Sequence, residues 1–290
     1  MVEHRSTPRL VSVVVPARNA VGTLAEQLAA LRQQDYAGAW DVVVADNGST
    51  DGTADLARRW AATLPLRVVD ASAQRGASFA RNHGWRSASG DLIAFCDADD
   101  VVAPHWLGGL VEAARRADLV GGPYEFRRLN TSAGGSWWNG ESLPVGLHFL
   151  PFIVGGNLAV WADVLAALGG FNEAYARQED VELSWRAQCA SLRLGFASDA
   201  VVHCRYRRGL LSMARQGYHD GFTEPHLYRD FRAAGMPPAT AWRFPRFVGR
   251  LVLAAPGSLT SRTRRALWIR NAGVQLGRLA GSVRYRVLYL

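Results

Sequence analysis

The sequence predicts an α/β fold, a mostly parallel sheet flanked by helices, followed by a basic helical tail. Three observations lead there. Apolar strand-like runs alternate with helical patterns across residues 9–125, the signature of βαβ units. The runs Val11-Ser12-Val13-Val14-Val15 and Trp40-Asp41-Val42-Val43-Val44 are short and almost continuously apolar, as strands covered on both faces require. The last 50 residues interleave arginine with Trp, Phe, Leu and Val, the composition of an amphipathic helix.

In chain order, strands are expected at residues 10–15, 40–45, 67–70, 92–96 and 119–124, with helices at 23–31, 54–60, 78–87 and 105–117. Residues 127–155 turn to Gly, Ser, Asn, Trp and Pro and read as exposed loop. Helical patterns resume at 157–168, 180–190 and 210–234, and Pro237-Pro238 breaks the chain. A chain of 290 residues, 49% hydrophobic, is long enough for one large domain with an appended tail. The expected division is 1–235 and 236–290.

The three cysteines, Cys96, Cys189 and Cys204, have no metal-ligand spacing and suggest no disulfide framework, which fits a reducing compartment. Met1 to Pro8 lack a signal-peptide pattern. Apolar stretches such as 251–256 fall far short of the roughly 20 residues of a membrane span. A cytoplasmic protein, soluble or peripheral on the inner membrane face, is expected. Net charge is +8, yet residues 201–290 hold sixteen arginines against Asp220, Glu224 and Asp230. Such a tail suits an anionic membrane, nucleic acid or an anionic acceptor. Nucleic acid has no recognition motif in support.

In open α/β sheets ligands bind beyond the carboxyl ends of the strands. The segments there are Pro16-Ala17-Arg18-Asn19, Asp46 to Thr53, and Asp97-Ala98-Asp99-Asp100. The last follows the strand pattern 92–96, so its carboxylates arrive where a buried strand ends. Mg²⁺ or Mn²⁺ takes such oxygen ligands together with phosphate oxygens. An acidic turn capping the next helix is the plainer alternative. Glu179-Asp180 opens another helical run, as a general base or as a complement to the helix dipole.

Taken in order, Val-Val-Val-Pro-Ala-Arg-Asn (13–19), Val-Val-Ala-Asp-Asn-Gly-Ser-Thr-Asp-Gly-Thr (43–53), Ala-Arg-Asn-His-Gly-Trp (80–85) and Gly-Asp-Leu-Ile-Ala-Phe-Cys-Asp-Ala-Asp-Asp (90–100) resemble glycosyltransferase family 2. Gly-Gly-Asn-Leu-Ala-Val (155–160), Gly-Gly-Phe-Asn-Glu (169–173) and Glu-Asp-Val-Glu-Leu-Ser-Trp-Arg (179–186) continue it, so that it covers about residues 10 to 205. The resemblance implies a Rossmann-like GT-A fold, with residues 9–125 binding a nucleotide-sugar and 126–235 shaping the acceptor side. It implies Mn²⁺ or Mg²⁺ and transfer with inversion from a UDP-sugar, or a GDP- or dTDP-sugar, to a carbohydrate, lipid-linked or small-molecule acceptor.

Residue by residue, it places the donor against Pro16, Ala17, Asn19, Asp46, Arg75, Asp97, Ala98 and Asp99. Asp46 would face the nucleobase, or close an Asx-turn before Asn47-Gly48. Asp99 would be the metal ligand, joined by His203, which could equally be structural. Asp180 is the first choice of base and Glu179 the second. Asp100 is a supporting group or a helix cap, and Arg81 and Asn82 are at least as well explained structurally. Trp137 and Trp138 could stack on an acceptor sugar, and Gly156 and Asn157 would lie where a sugar or backbone comes close, although tight packing alone would also explain them. The tail arginines Arg262, Arg264, Arg265, Arg270, Arg278, Arg284 and Arg286 either meet an anionic membrane or form the solvated face of a packed helix.

Three rivals remain. A sugar nucleotidyltransferase would carry a glycine-rich phosphate loop after strand one, and a dinucleotide oxidoreductase a GxGxxG there; Pro16-Ala17-Arg18-Asn19 is neither. A catalytically inactive binding module would not need acidic residues at 97, 99, 179 and 180.

Overall fold

The computed structural model describes residues 5–130, 140–206, 209–239, 249, 253–257 and 261–290, apart from the side chains of 262 and 263. Two compact units are formed. The first comprises residues 1–145, 151–174 and 179–205, the second 146–150, 175–178 and 206–290. Helix 210–231, which the sequence groups with residues 1–235, thus belongs to the same compact unit as the tail.

In the first unit the elements are β1 (Val11–Ala17), α1 (Leu24–Arg32), β2 (Trp40–Asp46), α2 (Thr53–Trp60), β3 (Leu66–Asp70), α3 (Ala77–Arg86), β4 (Leu92–Cys96), β5 (Val101–Val102), α4 (Trp106–Ala114), β6 (Leu119–Gly121) and β7 (Tyr124–Glu125). They continue with β8 (Asn157–Trp161), α5 (Ala162–Ala167), α6 (Glu179–Cys189), β9 (Leu194–Phe196) and β10 (Val202–His203). Seven strands form one sheet in the order β9-β6-β8-β4-β1-β2-β3. Its pairs are parallel except that β8 runs antiparallel to β4 and β6. A small second sheet has the order β5-β10-β7.

Physical reasons for this sheet are visible in its centre. Val13, Val14 and Val15 of β1, Val42, Val43 and Val44 of β2, and Leu92, Ala94 and Phe95 of β4 are wholly buried. With helices over both faces, β-branched residues can fill every position, and each contributes about 1.5–3 kcal/mol by leaving water. Register aligns Ala17 with Asp46 and Asp46 with Asp70, so three strands end together at one edge.

Two expectations are corrected. Residues 157–168 do not form one helix: Asn157–Trp161 is a strand in the sheet, and only Ala162–Ala167 is helical. A five-residue apolar run looks alike in a buried strand and a buried helix, and here pairing on both edges decides. The strand expected at 119–124 is cut at Gly121, and Tyr124–Glu125 joins the small sheet instead. Pro123 between them has no N–H to extend the ladder.

The second unit is built on α7 (Leu210–Phe231) and α8 (Arg262–Tyr285). Their backbones touch along glycines: a Cβ on Gly221 would stand 2.0 Å from the Val274 carbonyl oxygen, and one on Gly277 2.1 Å from that of Tyr218. Such spacing of small residues lets helices approach closely. Across the seam Asp220 meets Arg270 at 3.4 Å and Glu224 meets Arg278 at 2.5 Å.

Candidate active site

The loops after β1 and β2 are stitched together. Asn19, in the left-handed region at φ 49°, accepts from the Thr50 N–H at 2.9 Å, and its own N–H donates to Ser49 Oγ at 3.0 Å. Ala17 carries the last β1 carbonyl, which accepts from Asn47 N–H at 2.8 Å. Pro16 and Ala17 pair with Ala45 and Asp46. One Asp46 oxygen, Oδ2, accepts from Ser49 N–H at 3.2 Å and closes the turn. The other, Oδ1, is buried without a hydrogen-bond partner, a rare state for a carboxylate oxygen in a folded protein.

Arg75 is exposed on the loop between β3 and α3, and Asn47 shapes that loop. Its Nδ2 donates to the Ala71 and Gln74 carbonyls at 2.5 and 2.7 Å, while its Oδ1 accepts from Gly76 N–H at 2.9 Å.

The acidic turn leaves β4 beside them. Ligand oxygens of Asp97, Asp99 and Asp100 lie within 4.8 Å of one another. Burial, with Asp97 next, pushes the Asp100 carboxyl up to about 8, the response of a crowded set of carboxylates in low dielectric. Hard oxygen donors and excess negative charge fit a divalent cation of the Mg²⁺ or Mn²⁺ type. Ala98 is buried beneath the turn. From α1, Gln27 donates to the Asp97 carbonyl at 3.1 Å and accepts from Val102 N–H at 3.0 Å. Arg205 closes the other side: its N–H binds Asp100 Oδ1 at 2.8 Å and its Nε the Asp99 carbonyl at 3.1 Å.

Arg81, on α3, joins this turn to α6. Its side chain is 5% exposed, with Nη2 2.7 Å from Asp97 Oδ1 and Nη1 2.6 Å from Glu179 Oε1. Burial alone would lower the guanidinium pKa, but Asp97, Glu179 and Asp180 raise it above its ordinary value. Glu179 is therefore an ion-pair partner. Its neighbour Asp180 is half-buried, accepting from Gly155 N–H through Oδ2 and from Val181 N–H through Oδ1, both at 2.8 Å. Gly156 is required by space: a Cβ there would stand 2.6 Å from Asp97 Oδ2 and 2.8 Å from Tyr124 Oη.

His203 lies on β10 opposite Val101, two residues past Asp99, and its Nδ1 is 2.9 Å from Glu125 Oε2. Asn157 is 1% exposed. It accepts from Trp106 Nε1 at 2.9 Å and donates to the Pro123 and Ala200 carbonyls at 3.2 and 2.8 Å. Its polar atoms are thereby committed inside the protein and not to an acceptor. Trp137 and Trp138 fall outside the described residues.

Comparison with known proteins follows the same outline. Residues 12–152 match the model of Glycosyl transferase family 2, and residues 92–269 that of Glycosyl transferase family group 2. The chain belongs to glycosyltransferase family 2. Glycosyltransferase AglE of Haloferax volcanii is 30% identical to this family 2 chain over 223 residues, 74% of this chain and 73% of AglE. Of other curated relatives the chain spans 25% to 55% of the length. The mannosyltransferase PcManGT from Pyrobaculum calidifontis, solved in complex with GDP-Man and Mn²⁺, aligns with a TM-score of 0.63 at 24% identity, over 97% of this chain and 88% of that one. TarS 1-349 of S. aureus, in complex with UDP-GlcNAc, aligns at 0.55 and 19%, over 97% and 93%. These two likenesses establish the GT-A fold.

Residues that position this family 2 site without displaying a charge motif were missed by the sequence reading. Gln27 interrupts the apolar face made by Leu24, Leu28 and Leu31, all buried, and that interruption was the available signal. Asn47 read only as part of a turn. Arg81 stood in the 80–85 motif with a structural role as good an explanation as any, but its partners, 16 and 98 residues away, could not be read from it. Asn82 is structural, donating to the Phe171 carbonyl and Glu173 at 2.8 and 2.7 Å.

Proposed function

We propose that the chain transfers a sugar from a nucleotide-diphosphate sugar, with a UDP-sugar as first choice and GDP- or dTDP-sugars as alternatives, to an acceptor hydroxyl with inversion. The observation that carries this is the glycine step 155–156, which places Asp180 at one end, bound to Gly155 N–H, and Asp97 at the other, against the bare Cα of Gly156. A base and a donor-side carboxylate thus share one wall, with Arg81 behind both.

Asp99 is the first metal ligand in this reading. His203 is a second: with Nδ1 turned to Glu125, Nε2 is the nitrogen suited to a metal, the arrangement in which a carboxylate orients a ligating imidazole. The Mn²⁺ and nucleotide-sugars bound by PcManGT and TarS support the assignment by likeness. A bound divalent cation would offset charge building on the diphosphate leaving group. Asp46 Oδ1, buried without a donor, is suited to a nucleobase N–H. Pro16, Ala17, Asn19 and Arg75 would line the nucleotide, with Asp97 and Ala98 on the sugar-diphosphate side. Asp180 takes the acceptor proton as the hydroxyl attacks; Glu179 is held by Arg81 and is not the base. The acceptor, a carbohydrate, a lipid-linked sugar or a small molecule, enters from residues 126–235.

A panel of UDP-, GDP- and dTDP-sugars with Mn²⁺ or Mg²⁺, read by nucleotide release and thermal shift, tests this. One donor class should respond, and Asp99→Ala should abolish the response. Asp180→Asn should keep donor binding and lose transfer. Folded protein silent to the whole panel with both metals sinks the enzyme reading, and transfer that survives Asp180→Asn but not Glu179→Gln reverses the assignment of the base.

A further inference from the structure

We infer that the outer face of α8 is a docking surface for an anionic phospholipid bilayer, on which the helix lies flat. The charge of the tail is one-sided to an unusual degree. After Asp230 the remaining 60 residues contain eleven arginines and neither Asp nor Glu. The acidic residues of α7 do not balance this charge outward: Asp220 and Glu224 are buried and turned to Arg270 and Arg278 within the seam, and Asp230 is paired with Arg229 and His226.

The seam fixes which side of α8 is left. Gly273, Gly277 and Gly281 press on the backbone of α7. At 100° per residue the positions 276, 279 and 283 share one face, turned roughly 100° or more from the mean direction of those glycines. They hold Leu276, Leu279 and Val283, which are 61%, 40% and 80% exposed. Leu267 and Leu288, toward the two ends, are exposed as well, and so are Arg264, Arg284 and Arg286. Apolar residues at helical spacing with cations around them form the pattern of an interfacial helix.

Other occupants fit less well. Nucleic acid would leave the leucines without a role. A second copy would bring two arginine-rich faces together against their mutual repulsion. Among the described residues no helix is long and apolar enough to cross a membrane, which leaves a surface orientation. Phospholipid satisfies both sets of residues at once, with phosphate groups for the arginines and the acyl boundary for the leucines.

The expected effect is large enough to measure. Each arginine near an anionic surface strengthens partitioning about fivefold, so Arg264 and Arg286 together should favour anionic over neutral vesicles about twenty-five-fold. Each of the three apolar side chains adds about tenfold. The experiment is flotation of the full chain with phosphatidylcholine vesicles and with phosphatidylcholine–phosphatidylglycerol vesicles, with no sugar substrate present, so the glycosyltransferase reading stands or falls separately. Wild type should float with the anionic vesicles alone and be released by salt. The triple variant Leu276→Glu, Leu279→Glu, Val283→Glu should stay at the bottom with unchanged circular dichroism and melting. So should Arg264→Gln, Arg286→Gln. Val145→Glu, at a residue 61% exposed in the other unit, should float like wild type. The inference is overturned by wild type that ignores anionic vesicles or binds neutral ones equally, or by a folded triple-Glu variant that still floats. Dimers in light scattering that the triple-Glu change dissolves would overturn it too, assigning the face to a second copy.

Discussion

Replacing Arg81 by methionine tests whether the two halves of the site are held by one buried fork. Methionine keeps apolar contact with the Phe171 ring, over which the guanidinium sits at 5.5 Å, and removes only the charge and its donors. What remains is Glu179, with 11% of its side chain exposed, and Asp97, with 36% exposed. Breaking a buried pair by removing one partner costs about 3–5 kcal/mol. Water reaches Asp97 and screens its share, so the lower figure, about 3 kcal/mol, is expected, chiefly from Glu179. For a unit of this size that lowers Tm by about 6–12 °C. Arg81→Lys keeps a charge but replaces a planar fork by a point donor that cannot serve both carboxylates. It should lose less stability than Arg81→Met and nearly as much nucleotide release. Thermal melts with and without nucleotide-sugar, beside a nucleotide-release assay, read both effects. Adding Glu179→Gln to Arg81→Met should recover about 1 kcal/mol or more, the coupling expected of contacting groups. If Arg81→Met melts within about 1 °C of wild type and turns over donor normally, the fork is incidental and the reasoning fails.

Gly156→Ala forces a Cβ to 2.6 Å from Asp97 Oδ2, so the carboxylate must move; KM for the donor should rise about tenfold while Tm changes little, the reverse of a core defect. Asn47→Ala removes three hydrogen bonds to the 71–76 loop and should cost about 3 kcal/mol in chemical unfolding, with faster proteolysis at Arg75. His226 is stacked between Tyr175 and Tyr285, at centroid distances of 4.0 and 4.3 Å. Burial holds its pKa below the ordinary 6.5; Asp230 opposes, and Arg229 and Arg284 add to the lowering. As pH falls through 6.5 the unfolded chain takes up a proton that the folded chain refuses, so stability is lost in that window and regained above it. Melting temperature should fall between pH 7.5 and about 5.5 in wild type, and fall less in His226→Phe, which keeps the stack; equal slopes would remove His226 as the cause.

The fold was legible wherever the physics is local. Strand β1 could be read from five residues because burial on both faces leaves no room for a polar alternation, and the acidic turn after β4 because carboxylates beyond a buried strand are conspicuous. Asn157 marks where legibility ends. Its run, Asn157 to Trp161, is apolar enough for either a strand or a helix, and what decides is pairing with β4 and β6, which no window of sequence contains. The same residue, beside two glycines, was expected where a sugar or backbone comes close, yet its amide is spent on Trp106 and two carbonyls. A short polar side chain reads alike at a binding turn and at a buried junction.

The polar residues whose partners the sequence did not show have one physical cause in common. Gln27, Asn47, Arg81 and Arg205 each bind a loop end that leaves the sheet, and such ends carry main-chain groups without ladder partners. Gln27 holds the carbonyl of Asp97, Asn47 those of Ala71 and Gln74, Arg205 that of Asp99; Arg81 holds the Asp97 carboxylate itself. A carboxylate can serve one chemical role only when its backbone cannot drift, because a misplacement of about 1 Å costs about a hundredfold in rate. The conspicuous acids would therefore supply the chemistry, and the inconspicuous amides and guanidinia fix where it happens. That division explains why motif reading finds the first group and only the folded chain reveals the second.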